Sequence, residues 1–305
     1  MKTMGLKRSL TAIAAGVGLA LAAAPVAAQT EKPQYGGKLE IGTVYVTLSA
    51  LSWDMADWNW KQNHDMGQMY ETLFAADLSK SKRLGGKHPF IADAWLPTDA
   101  IRGELAERWS WKENPLRLEV HLRKGVMFPA KPGVMAAREL TAEDVVFSFN
   151  RLEKSPKKIP NYFDHVTKVE ALDKHTVQFT FKDFFSEWDY RFGWGYYSGI
   201  MPKEVADAGA GNWKNVNGTG PFLLADFVQG NSNTYAKNPG YWGRERIGGE
   251  EYRLPFVDRV VYRTIKDEAT QHAALRTGKL DMLEAIRWSA VDELKKNAPA
   301  LKWNR

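Results

Sequence analysis

The chain has 305 residues, and not one of them is cysteine. No disulfide can hold it together, and no thiol is present to ligate a metal or to carry a lipid anchor. Enzyme signatures are missing as well. There is no Gly-x-Ser-x-Gly elbow, no His-Glu-x-x-His pair and no phosphate loop ending in Gly-Lys-Ser/Thr. Gly193-Trp-Gly195 begins like a dinucleotide turn, but the third glycine falls at 199, one position late. The six histidines, at 64, 88, 121, 165, 175 and 272, never reach ligand spacing with one another, so surface and hairpin roles fit them better than a metal centre. No cofactor is implied. A strong charge of one sign is absent too: 42 basic residues face 36 acidic ones. Three of the basic residues and no acidic ones precede residue 29, which leaves 39 against 36, or +3. That balance provides no electrostatic footprint for nucleic acid. The one basic cluster, Lys80, Lys82, Arg83 and Lys87, sits beside Gly85 and Gly86 and reads as a solvated loop.

Long apolar runs occur once, at the start. Lys2, Lys7 and Arg8 precede an Ala/Leu/Val-rich stretch from Leu10 to Ala24, and Val26-Ala27-Ala28 offers small residues for cleavage. This is the pattern of a secretory leader over residues 1–28. A membrane anchor is the alternative, but the run is short, Pro25 follows it and no stop-transfer pattern comes after. The expectation is an exported, soluble protein in the periplasm, with no lipid anchor.

Aromatics are plentiful: 12 Trp, 11 Tyr and 14 Phe. Residues 51–60, LSWDMADWNW, place Trp53, Trp58 and Trp60 among Asp54, Asp57 and Asn59. Composition leaves these rings undecided between core and ligand platform, with Trp53 the nearest to core. The two aspartates could form an acid/base pair, although turn and cap formation is the commoner use of Asp in a loop.

Around that segment the periodicities predict a mixed fold. Lys38 to Gly42 reads as a strand, and Met66, Met69, Tyr70 and Leu73 predict a helix over 63–74. Leu116, Leu118, Val120 and Leu122 alternate with Arg117, Glu119 and His121, as in a half-buried antiparallel strand. Thr141 and Asp144 have capping-box spacing ahead of a helix that buries Val145, Phe149 and Leu152. A hairpin follows around Asp173-Lys174, burying Val177, Phe179 and Phe181. Gly218-Thr-Gly220-Pro221 predicts a turn using positive-φ glycines. Later come a strand at 259–265, a helix capped by Asp267 and stopped by Gly278, a short strand at 280–283, and a helix capped by Ser289 with Asp292. Mixed strands and helices with antiparallel hairpins predict an α/β or α+β architecture.

Several of these segments resemble one family. LAERWSW (105–111), LEVHLRKGVMF (118–128) and ELTAEDVVFSFNRL (139–152) are similar to the family 5 extracellular solute-binding proteins of ABC importers. VTKVEALDKHTVQFTF (166–181), GTGPFLL (218–224), NPGYWG (238–243) and RTGKLDML (276–283) follow in the family's order. The resemblance runs from about Gly37 to Arg305 and is carried mainly by scaffold, so it speaks more of fold than of ligand.

That resemblance implies a two-lobed, hinged periplasmic-binding-protein fold of the class II type, of which this chain holds the first lobe. The implied lobe core is 29–74 with 186–283, and an extra subdomain spans 75–185. Residues 284–305 then form the crossing and the start of a truncated second lobe, so the chain reads as an amino-terminal fragment. The implied function is capture of a peptide or related small solute between the lobes and delivery to membrane permease subunits, by a monomer doing no chemistry. A saccharide or opine receptor of the same family is the alternative, since tryptophans also suit sugar rings. An exported hydrolase using Asp54 and Asp57, or a chaperone-like or sensory periplasmic protein, is a less favoured class. The implied ligand-binding residues are Trp58, Asn59, Trp60 and Lys61, with Trp53 and Asp54 before them. Tyr162, Tyr196, Tyr197, Glu284 and Ala285 complete the set, Tyr196 and Tyr197 having ordinary strand packing as their alternative. The family's Asp-Pro pair is here Asp54-Met55, so the fixed φ of proline is lost.

Overall fold

A computed structural model describes residues 32–44, 49–56, 65–90, 96–193 and 198–303. In chain order it contains β1 (Lys38–Thr43), β2 (Phe74–Ala76), β3 (Ile101–Gly103), β4 (Ala106–Lys112), β5 (Arg117–Leu122), β6 (Met127–Phe128) and β7 (Arg138–Glu139). Then come α1 (Ala142–Glu153), β8 (Val166–Asp173), β9 (Thr176–Phe181), α2 (Trp188–Phe192) and α3 (Lys203–Asp207). The remainder is β10 (Phe222–Val228), β11 (Ser232–Lys237), β12 (Arg244–Ile247), β13 (Glu250–Arg253), β14 (Arg259–Thr264), α4 (Glu268–Arg276), β15 (Met282–Leu283) and α5 (Trp288–Asn297). Among the described residues no helix is long and apolar enough to cross a membrane.

Two sheets dominate. One has the order β4-β5-β9-β8 and is antiparallel throughout. As its alternation predicts, β5 buries Leu118, Val120 and Leu122. Helix α1 covers this sheet with Val145, Phe149 and Leu152, and the Phe149 ring meets Phe163, Phe179 and Phe192 edge-on at 5.0–5.5 Å. The predicted capping box is present: Asp144 Oδ2 accepts the Thr141 N–H at 2.9 Å. The other sheet is mixed, in the order β10-β11-β14-β1-β15, with β1 parallel to both β14 and β15. Its core joins Ile41, Trp53, Met66, Met69, Phe222, Phe227, Tyr235 and Val260. Each large side chain fully buried in either core contributes roughly 1.5–3 kcal/mol of apolar transfer.

The predicted helix over 63–74 is corrected. Residues 63 and 64 lie outside the described residues, the helical bond from Tyr70 N to Met66 O closes one turn, and the chain is extended from there into β2. The physical reason is that this segment runs between both cores. Met66, Met69 and Tyr70 enter one, while Leu73 and Phe74 enter the other. Its carbonyls are taken by tertiary partners: Gln68 O by Phe222 N, Met69 O by Gly220 N, Glu71 O by Ile200 N, and Leu73 O by Glu104 and Ala106 N. All-round burial imitated a helical stripe.

Two smaller expectations also change. Neither Gly218 nor Gly220 has a positive φ. They are glycine because a Cβ at 218 would lie 2.2 Å from Met69 O, and one at 220 would lie 2.6 Å from it. Helix α5 begins at Trp288, so Ser289 lies inside its first turn and Arg287 precedes it without a side-chain cap. Ala290 N donates to Arg287 O at 3.0 Å, which starts the helix before the serine can cap it. The α4 signals behave as read: Asp267 accepts from Thr270 N at 2.8 Å, and Gly278 has φ 69.

Candidate functional site

In an open sheet with parallel strands, ligands collect beyond the carboxyl ends of the strands, where connections part. Here β14 connects through α4 to β15, which pairs on the opposite side of β1. The chain leaving β1 therefore follows a separate course, toward 49–56. Thr43 stands opposite Thr264, Gly42 opposite Leu283, and Glu284 N donates to Gly42 O, so Thr43, Thr264 and Glu284 share one rim. Gly42 permits that arrangement, since a Cβ there would lie 2.5 Å from the Leu283 Cδ2.

A polar group is built against this rim. Gln68 Nε2 donates to the Tyr262 hydroxyl at 3.1 Å, and the Tyr262 ring meets Tyr235 edge-on at 5.9 Å. The Tyr235 hydroxyl donates to Asp65 O at 2.6 Å, and Asn233 Nδ2 donates to Asp65 Oδ1 at 2.8 Å. Burial pushes the Tyr262 hydroxyl up to about 12, and the charges of Glu284 and Asp65 push the same way. On β1 and β14, Arg263 grips Glu40 at 2.8 Å and holds its carboxyl below the usual range. Sequence reasoning missed Asp65, Gln68, Asn233 and Tyr262. Only the polar end of the strand carrying Tyr262 hinted at them.

The expected site residues divide. Glu284 and Ala285 are exposed at the rim. Trp53 is 1 % exposed and edge-on to Phe227 at 5.4 Å, so its ring is part of the core and has no face for a solute. Asp54 is buried with both oxygens on the Arg151 guanidinium, and Oδ1 also accepts the Ala56 N–H at 3.0 Å. It is a paired, turn-forming carboxylate rather than an acid/base group. Tyr162 belongs to the other core, edge-on to Phe163 and beneath Arg191 at 4.8 Å, so it is not brought to the rim. Trp58, Asn59, Trp60, Lys61, Tyr196 and Tyr197, with Asp57, lie outside the described residues. Asn217 of the sequon-like Asn217-Gly-Thr219 is buried and donates to Pro129 O at 2.8 Å.

A buried acid pair lies apart from these. The Trp242 ring N–H donates to both oxygens of Glu71, at 2.9 and 3.1 Å. Burial, reinforced by the charge of Glu104, pushes the Glu71 carboxyl up to about 8. Glu104 accepts from Thr72 N and Oγ1 at 2.9 and 2.8 Å and is raised by burial. Glu71 is only 3 % exposed, so its role is inside the fold. Among the described residues no three His, Cys, Asp or Glu side chains gather as metal ligands.

Residues 100–303 match the model of the bacterial extracellular solute-binding proteins, family 5 (middle). The chain belongs to this family. Among relatives, the dipeptide-binding protein of Escherichia coli (strain K12) is 29% identical over 209 residues, covering 61% of this chain and 36% of the relative. Heme-binding protein A of Haemophilus influenzae is 29% identical over 202 residues, covering 60% and 35%. Among solved structures, the ABC transporter-associated periplasmic binding protein DppA from Helicobacter pylori, in complex with the peptide STSA, superposes with a TM-score of 0.66. It is 26% identical, over 86% of this chain and 49% of that one. The binding protein MoaA from A. tumefaciens R10, in complex with mannopinic acid, has a TM-score of 0.67 at 20% identity, over 87% and 48%, which speaks for the fold alone. This family 5 chain thus spans about half the length of its solved relatives and little more than a third of the curated ones. Its mixed α/β architecture is that of a periplasmic-binding-protein lobe.

Proposed function

We propose that the protein is the solute-capturing component of an ABC importer, binding a peptide at the carboxyl rim of β14-β1-β15 and delivering it to permease subunits in the membrane. The observation carrying this reading is the shared fold, at 26% identity, with a binding protein whose structure contains a peptide. Further support comes from relatives named for dipeptides. It acts in the periplasm after loss of residues 1–28, as a monomer and without chemistry on the solute. Both Asp54 oxygens are engaged by Arg151, which argues against the hydrolase alternative.

The lobe core is assigned to 29–74 with 186–283 and the extra subdomain to 75–185, with the crossing at 284–305. The division of the two apolar clusters favours this: one draws mainly on 73–200, the other on 41–70 and 201–260. Trp58, Asn59, Trp60 and Lys61 form the solute-contacting wall, joined by Tyr196, Tyr197, Glu284 and Ala285. Trp53 and Asp54, both buried, hold the chain just ahead of that segment. An extended peptide would use backbone hydrogen bonds there, which tolerate many side chains.

The test is isothermal titration of the purified protein with alanyl dipeptides, and in parallel with an opine and an oligosaccharide. Peptide binding is expected, weakened tenfold or more by Trp58→Ala with Trp60→Ala while Tm stays within about 3 °C. Opine or saccharide binding with no response to peptides refutes the peptide reading. A large fall in Tm in the double variant returns both rings to the core.

A further inference from the structure

One face of α1 is polar and is turned away from the core that the helix covers. Asp144, Ser148 and Arg151, followed by Ser155 just past its end, recur at spacings of four, three and four, which aligns them along one side. Every member bonds to a group outside the helix. Arg138 forks onto Asp144 at 2.7 and 2.9 Å and, with its remaining donors, onto Glu204 at 2.7 Å. Met201 N donates to Ser148 Oγ at 3.0 Å. The Arg151 guanidinium forks onto Asp54, with Nη1 to Oδ1 at 2.7 Å. Ser155 Oγ donates to Ala56 O at 2.8 Å.

The last two contacts converge on three residues, 54–56, on the path leaving β1. The same path is held from below by Trp53 in the core, and from the side by the bond from Trp53 N to Gly211 O at 2.9 Å. Arg151 is the helix's own guanidinium in such a fork, and a fixed planar pair of bonds sets direction as well as distance. We propose that Arg151 and Ser155 are positioning residues for solute capture. They fix 54–56, and thereby the point from which the solute-contacting wall departs, so affinity depends on a helix that never meets the solute. This rests on the assignment of 58–61 to the solute.

Two variants test it without removing the helix. Arg151→Lys keeps the charge and loses the fork; Ser155→Ala loses one hydroxyl. In each, amide hydrogen exchange over 50–56 is expected to accelerate about tenfold, with exchange over 117–122 and 176–181 unchanged. Affinity for an alanyl dipeptide should fall five- to thirtyfold. Adding Asp54→Glu to Arg151→Lys lengthens the carboxylate toward the shorter-reaching ammonium and should restore affinity to within about threefold of the parent. Unchanged exchange over 50–56 in both variants overturns the proposal, as does equal acceleration in both sheets, which marks general destabilisation. Normal binding by the Trp58→Ala, Trp60→Ala protein would instead refute the solute assignment, and the exchange result would still decide the positioning role.

Discussion

Replacing Glu71 with Gln isolates a proton that the fold holds and the unfolded chain releases. Glu71 is almost wholly buried, accepts two bonds from Trp242, and has Glu104 as an acidic neighbour. Its carboxyl is pushed from 4.5 up to about 8, first by burial and then by the charge of Glu104. Between those values the folded protein binds more protons than the unfolded one, so stability must fall as pH rises. The contribution is complete below 4.5 and is lost as pH rises through about 8. At about 1.4 kcal/mol per pH unit, the window amounts to roughly 5 kcal/mol. In a domain of this size that corresponds to about 10 °C in Tm, at about 2 °C per kcal/mol. Calorimetric melts at pH 5 and pH 8.5, an interval that holds most of that window, should at one ionic strength show the parent losing about 7 °C more than Glu71→Gln. The amide keeps an acceptor oxygen for Trp242, so at pH 5 the two proteins should melt within about 3 °C of each other. Parallel dependences of Tm on pH would refute the reasoning.

Trp53→Ala should cost about 3–5 kcal/mol, because a ring packed on Phe227 leaves a cavity; urea midpoints check it, and a loss below about 1 kcal/mol would take Trp53 out of the core. Gly218→Ala should cost more than about 3 kcal/mol, since the new Cβ meets the carbonyl of Met69, which cannot move without breaking its bond from Gly220. An unchanged midpoint there would mean that the 68–69 backbone yields.

Much of the scaffold could be read from residue order because its determinants are local. The alternation in β5, the capping box ahead of α1, the turn at Asp173 and the Asp267 and Gly278 boundaries of α4 each lie within a few residues of what they control. What could not be read depends on partners far away in the chain. The spacing of Met66, Met69, Tyr70 and Leu73 fits a helix, and the presence of two cores is what ends it after one turn. The glycines at 218 and 220 look the same in sequence whether they serve a turn or a close approach. Glu71 reads as an ordinary surface acid until Trp242, 171 residues later, is set against it. Among the expected site residues, Glu284 and Ala285 come only from the family resemblance, and Trp53 stands nearest to core through its place beside the first strand, whereas nothing local tells that the Tyr162 ring is buried.

The passage from Gln68 to Leu73 has its backbone partners divided between two sheets that otherwise have separate interiors. Opening either sheet strips donors from the carbonyls of the strip that closes the other. Such shared ownership makes the two halves one cooperative unit, in which neither is protected from exchange while the other is open. A chain with two interiors then melts as though it had one.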